Sequence, residues 1–88
     1  MQLSLEFTGT ALPAQERIRL ETLARNVILE MSNGVENAHK AYQAFQTGAD
    51  RGPMGDWARM VRYAADAARG HMSPSVGQRV GILARFEQ

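Results

Sequence analysis

The side chains best suited to chemistry in this sequence are arginines, which supply nine of its ten basic groups. Arg59, Arg62 and Arg69 are spaced by three and seven residues, which aligns them along one stripe of a helix with Tyr63 nearby. A guanidinium can hold a carboxylate or a phosphate through two parallel hydrogen bonds, and it can also stack on a ring. We therefore predict that these four residues form a partner-binding site, on the helix face opposite Trp57.

The same stripe is compatible with a second interpretation, an ordinary solvated helix face. Asp66 follows Arg62 by four residues, the separation at which opposite charges pair along a helix. Arg79 and Arg85 would extend the stripe if the last element of the chain packs beside it. Both interpretations stay open at the level of sequence.

Catalytic chemistry has little support in the sequence. A nucleophile needs a base within hydrogen-bond reach and a third group that orients the base. The only histidines, His39 and His71, fall in different predicted elements and have no such pattern around them. The carboxylates Glu16, Glu21 and Glu30 are spread along one amphipathic helix, which is typical of a solvated face. We expect no enzyme activity and nominate no catalytic residue.

Metal and phosphate sites are equally unsupported. The chain has no cysteine, and its two histidines lack the spacing of a metal-ligand pair. The glycine-rich stretch over 48–55 lacks the lysine followed by serine or threonine that a phosphate-binding loop uses. We expect no metal and no cofactor, and we assign these glycines to a turn.

The size and composition are typical of one small globular domain, with 88 residues, 44% hydrophobic side chains and 22% charged ones. We therefore predict a single domain over residues 1–88. The absence of cysteine fits a reducing compartment, and the sequence shows neither a secretory signal nor the roughly 18 consecutive apolar residues of a membrane span. The expected location is the cytoplasm, and no membrane partner is expected.

Apolar periodicity predicts a mainly α fold, a small three- to four-helix bundle with a short N-terminal strand or extended arm. Leu3, Leu5 and Phe7 alternate with polar residues in that arm. The pair Asn33-Gly34 ends the first helix, and so short a link implies an antiparallel hairpin with the second helix. The predicted elements are an arm or strand over 1–9, a helix over 13–33, a helix over 35–47, a loop over 48–55 and a helix over 56–70.

The third helix is the one that carries the arginine stripe. We expect Asp56 to cap its start and Gly70 to close its end. Its predicted buried stripe consists of Trp57, Met60, Val61, Ala64 and Ala68. The alanines among residues 64–68 have little bulk, so another helix can approach closely there.

The last segment, over 73–87, supports two structures. Ser73-Pro74 is typical of a helix start, and on this cap we favour a helix. The strand alternative rests on the alternation of Val80, Ile82, Ala84 and Phe86. A strand here would pair with residues 2–7 and close a three-helix body with a two-stranded ribbon.

These observations predict a non-enzymatic module that binds a larger protein or ribonucleoprotein complex, with a homodimer as an additional expectation. The compact, cysteine-free, alanine- and arginine-rich composition resembles that of small proteins of bacteriophages and mobile elements. Inhibitors of host defence, including anti-CRISPR proteins, are often built in this way. The resemblance implies an inhibitor or regulator of a host complex such as a CRISPR-type machinery, and it assigns no residue a role.

Two alternative functions use the arginines differently. A nucleic-acid-binding transcriptional regulator is less favoured, because the net charge is only +1. An oligomeric binder of an anionic small ligand such as a cyclic nucleotide is the other alternative. Phe7-Thr8, arginines in the first helix and Trp57-Ala58 are similar to features of phage proteins that sequester cyclic dinucleotides. Gly9 departs from that pattern, since an aromatic residue is expected there to stack on the ligand.

Overall fold

A computed structural model of the chain describes residues 1–50 and 55–87. Within that part of the chain the fold is mainly α, as predicted, with four helices and one two-stranded antiparallel sheet. The elements are β1 (Gln2–Thr8), α1 (Ala14–Ser32), α2 (Val35–Gln46), α3 (Asp56–Arg69), α4 (Pro74–Gly77) and β2 (Gly81–Glu87). Positions 51–54 of the predicted loop over 48–55 lie outside the described residues. None of the described helices has the length and hydrophobicity needed to cross a bilayer.

The end of the chain corrects our preference for a helix over 73–87. Ser73-Pro74 does start a helix, but α4 has only four residues and β2 follows it. Pairing with β1 gives partners to the inward-facing backbone groups of both strands and places the alternating apolar residues of both on one face against the helices, which a helix over 73–87 beside a lone arm could not do. The favoured helix was therefore wrong beyond Gly77, and the strand alternative is the structure adopted.

The β1–β2 ribbon has one face towards the helices. Leu3 lies opposite Phe86, Leu5 opposite Ala84, and Phe7 opposite Ile82, and all six side chains are buried or half-buried. Because strand side chains alternate, the intervening residues, which include Leu83, point to the other face. The ribbon therefore lays an apolar face on the helical layer and turns the second face to solvent.

Gly9, just after β1, is required by the close approach of the two chain ends. Its φ is +89°, and a Cβ placed on it would lie 1.9 Å from the carbonyl oxygen of Arg79. No side chain fits in that space. The aromatic residue expected there in a cyclic-dinucleotide binder is therefore excluded at this position.

The α1–α2 hairpin forms for local reasons. Asn33 adopts the left-handed conformation with φ 62°, and Gly34 follows with φ 122°. The Gly34 N–H donates to the Leu29 carbonyl oxygen at 2.9 Å, which satisfies one of the last carbonyl groups of α1. The chain then enters α2 at Val35 without an intervening loop.

The start of α3 is capped differently from the prediction. Asp56 is the first residue of the helix rather than its cap, and Gly55 precedes it. The Asp56 N–H donates to Oδ2 of Asp50 at 3.0 Å, so the carboxylate that serves this helix end comes from six residues earlier. A Cβ on Gly55 would lie 2.8 Å from the Asp50 carboxylate, so this contact needs glycine.

The core lies where α1 crosses α3 beneath the ribbon. Ala24, Ile28 and Ala64 are completely buried, and the small alanines leave space that the larger Ile28 side chain can fill. Trp57 is 3% exposed, and its ring packs edge-on against Tyr42 at a centroid distance of 5.0 Å. This aromatic packing joins the start of α3 to α2.

Candidate functional site

The predicted arginine stripe divides between two places on α3. Arg59 lines a shallow depression with Met31 and Asn37, and its guanidinium pairs with Asp56 at 3.0 Å. Tyr63 is 51% exposed and lines neither that depression nor the groove described below. Among the described residues, the four predicted side chains therefore do not line one common cavity.

Arg62 and Arg69 remain together, in a groove of about 420 Å³ between α3, β2 and the end of α2. Trp57 and Val61 line the same groove, where Trp57 is buried and Arg62 is exposed. Within residues 1–50 and 55–87 the lining is Phe45, Trp57, Ala58, Val61, Arg62, Ala65, Arg69, Ile82, Leu83 and Ala84. We call this feature the α3–β2 groove.

The groove runs along an edge of the ribbon. Ile82, Leu83 and Ala84 are consecutive, and all three line it. Because successive side chains of a strand point to opposite faces, a cavity that touches three in a row lies at the strand's edge. No β1 residue lines the groove, so the edge concerned is the outer one, away from β1.

The backbone of that outer edge is available for pairing. Apart from the β1–β2 ladder, residues 81–87 make no backbone–backbone hydrogen bond within the described part of the chain. In an antiparallel pair about half of the N–H and C=O groups of each strand point away from the partner strand. One side of the groove is thus formed by the outward-pointing backbone N–H and C=O groups of β2.

The two groove arginines have different roles. Nε and Nη2 of Arg69 donate to the Val80 carbonyl oxygen at 3.2 and 2.9 Å, and Nη1 donates to Asp66 at 3.0 Å. Arg69 therefore ties the end of α3 to the start of β2. Asp66 pairs with Arg69, three residues after it, and not with Arg62, four residues before it.

Arg62 is exposed and forms none of the ion pairs found within residues 1–50 and 55–87. No described carboxylate lines the α3–β2 groove either. The groove thus carries two positive charges, of which Arg69 is already paired and Arg62 is available. Its chemistry favours an acidic group close to apolar surface.

Apolar side chains dominate the walls of the groove. Phe45 is 37% exposed and Leu83 is 54% exposed, while Trp57 and Ala65 form a buried floor. Neither of these exposed residues was among the predicted site residues. Leu83 had a signal: it is a large apolar residue at an outward position of the alternating strand.

His39 lines a partly polar depression with Gln43, Gln46 and Glu87. His39 packs its ring edge-on against Phe86, at a centroid distance of 5.0 Å, and His71 is exposed. Across residues 1–50 and 55–87, no group of three or more histidine, aspartate or glutamate side chains is arranged to hold a metal ion.

Comparison of the chain with protein-family models, with curated proteins and with solved structures finds no match.

Proposed function

We propose that this chain is a non-enzymatic module that binds a partner protein, alone or within a larger complex, and that the α3–β2 groove is its binding surface. The observation that carries the proposal is the combination of features in one groove. Exposed apolar side chains, an unpaired strand edge and the available Arg62 guanidinium lie together. Interfaces commonly combine a buried apolar anchor with an arginine in this way.

The expected strength of binding follows from the exposed surface. Covering the exposed parts of Phe45 and Leu83 contributes about 1 kcal/mol each, since full burial of such a side chain is worth about 1.5–3 kcal/mol. A charge-assisted pair with Arg62 adds about 1–2 kcal/mol. Together these contributions reach only about 3–4 kcal/mol, so backbone pairing and further contacts of the partner must supply the rest of any binding tighter than about 1 mM.

The alternative functions have less support. Arg59 and Arg69 pair with Asp56 and Asp66, which reduces the positive potential that α3 could offer to phosphates. Trp57, the ring that the likeness to cyclic-dinucleotide binders would use, is 3% exposed and cannot stack on a base, although Phe45 and Tyr63 are exposed. Neither a nucleic acid nor a cyclic nucleotide is therefore the proposed ligand.

The test compares charge reversal at two arginines of the same helix. Arg62→Glu and, separately, Leu83→Ser change the groove, whereas Arg59→Glu changes an exposed arginine outside it. The wild-type chain, immobilised on a resin, would first be used to isolate its partner from a nuclease-treated lysate of the cells in which the protein naturally occurs. Calorimetry with the purified partner would then give the dissociation constants.

We expect Arg62→Glu to weaken binding by at least about tenfold, or 1.4 kcal/mol, Leu83→Ser to weaken it by about fivefold, and Arg59→Glu to have little effect. Circular dichroism would verify that all three variants are folded. Equal affinity of Arg62→Glu, Leu83→Ser and the wild type would contradict the groove assignment. A partner that is lost on nuclease treatment would instead favour nucleic-acid binding.

A further inference from the structure

We infer that the partner segment bound in the α3–β2 groove is an extended stretch that adds to the outer edge of β2 as a third strand, with an acidic side chain beside Arg62. This inference rests on the proposed function and specifies how the groove would recognise its ligand. Strand addition is a common mode of peptide recognition, in which main-chain hydrogen bonds give affinity and side-chain pockets give specificity.

The strand edge supports pairing because β2 itself lacks two of the usual protections, a proline and a bulge. Exposed edges are normally blocked by proline, by a bulge or by a covering element. β2 contains no proline, and its register with β1 is continuous from Gly81 to Glu87 without a bulge. Arg85 and Glu87, the charged residues of the strand, pair with each other at 3.0 Å. An incoming strand therefore meets an edge with unused backbone groups and little unpaired charge.

The side of the groove formed by α3 supports a strand-sized occupant. Ala58 and Ala65 line it, and alanine leaves the space between helix and strand open. An added strand would direct every second side chain towards these alanines and Val61, and branched apolar residues suit that surface. The other side chains of the added strand would lie on the solvent face, beside the exposed Leu83.

The charge of the groove determines which protein sequence fits. Arg62 makes no ion pair with a described residue, and the groove lining contains no carboxylate from the described part of the chain. A glutamate or aspartate of the added strand could accept two hydrogen bonds from this guanidinium. A second copy of the chain paired through β2 would instead bring another Arg62 and Arg69 to the same edge. Like charges across a two-fold axis disfavour that arrangement, so a different, acidic protein is the inferred partner.

The test uses synthetic peptides of about nine residues, long enough to cover a strand of ordinary length. In one peptide valine alternates with serine and a glutamate replaces the central valine, so that its carboxylate lies on the face towards α3 and Arg62. A second peptide carries lysine and a third carries glutamine at that position. Two further versions of the glutamate peptide carry N-methyl groups on alternate residues. In one version the methyl groups lie along one edge of the extended peptide, and in the other version they lie along the opposite edge. Binding to the full-length chain is followed by NMR titration and by amide hydrogen exchange.

The glutamate peptide is expected to bind at least about tenfold more tightly than the lysine peptide, with a dissociation constant below about 1 mM. Alternate amides of β2 should gain protection from exchange, because only the outward-pointing ones acquire a new partner. One N-methylated peptide should lose binding and the other should keep it. Arg62→Gln should remove the preference for glutamate over lysine.

Several results would overturn strand addition. They are binding of both N-methylated peptides with equal affinity, unchanged exchange of the β2 amides, or no detectable binding of any peptide up to about 1 mM. A purified partner that still responds to Leu83→Ser and Arg62→Glu would then leave the proposed function intact. A partner indifferent to those two substitutions would contradict the proposed function itself.

Discussion

Two sides of α3 carry similar small and apolar residues, but one is packed against α1 and the other borders the α3–β2 groove. We call them the closed side and the open side of α3. On the closed side, towards α1, Met60, Ala64 and Ala68 are buried and no groove separates the two helices there. Towards β2, Ala58 and Ala65 also present small side chains, yet a groove of about 420 Å³ remains. The difference lies in the neighbour: a helix can supply side chains such as Ile28 that fill the space beside alanine, whereas the edge of a strand supplies mainly backbone.

This comparison separates stability from recognition. The closed side carries the packing on which folding depends, since a chain of this size buries only about 60–70% of its unfolded surface. The open side contributes less to folding and keeps apolar surface and a charge available. Substitutions on the two sides should therefore have different consequences.

The largest effect is expected on the closed side at Ile28, which is completely buried. Ile28→Ala would leave a cavity between α1 and α3 and lower the free energy of unfolding by about 2–5 kcal/mol. The matched control is Ile18→Ala on the same helix, where the side chain is 58% exposed and the expected change is below about 0.5 kcal/mol. Urea denaturation measures both, and similar losses for the two variants would contradict the assignment of the core.

A smaller effect should distinguish the two sides of α3 directly. Ala64→Leu adds bulk where α1 and α3 are in contact, and overpacking should lower the free energy of unfolding by about 1–3 kcal/mol. Ala58→Leu adds the same bulk to the groove, and the change should stay within about 0.5 kcal/mol. Thermal denaturation of the pair provides the measurement. If Ala58→Leu were as destabilising as Ala64→Leu, the groove would be closed in solution.

The elements that could be predicted from sequence are those specified by neighbouring residues. Asn33-Gly34 ends α1 because the left-handed conformation is a property of those two positions. Ser73-Pro74 also acted locally and does start a helix. The sequence alone did not show how strongly pairing with β1 stabilises a strand at the end of the chain. That stabilisation comes from contacts between residues that are distant in sequence.

The candidate site shows the same limit. Arg62 and Arg69 were identified from their spacing, but spacing alone could not show that β2 lies beside them. Arg59 was grouped with them because it lies on the neighbouring part of the helix surface, yet it faces a different depression. Leu83 could be assigned to the groove only once residues 81–87 were known to form a strand. The groove is a product of tertiary packing, so its residues are scattered over three elements.

The central claim, that the open side of α3 is the binding surface, is tested most directly by filling it. Ala58→Leu places a larger side chain inside the α3–β2 groove, whereas Ala67→Leu places the same side chain on α3 outside the groove lining. Calorimetric titration of the purified partner should show affinity reduced by at least about tenfold for Ala58→Leu and nearly unchanged for Ala67→Leu. Equal affinity of the two variants for the partner would contradict the account.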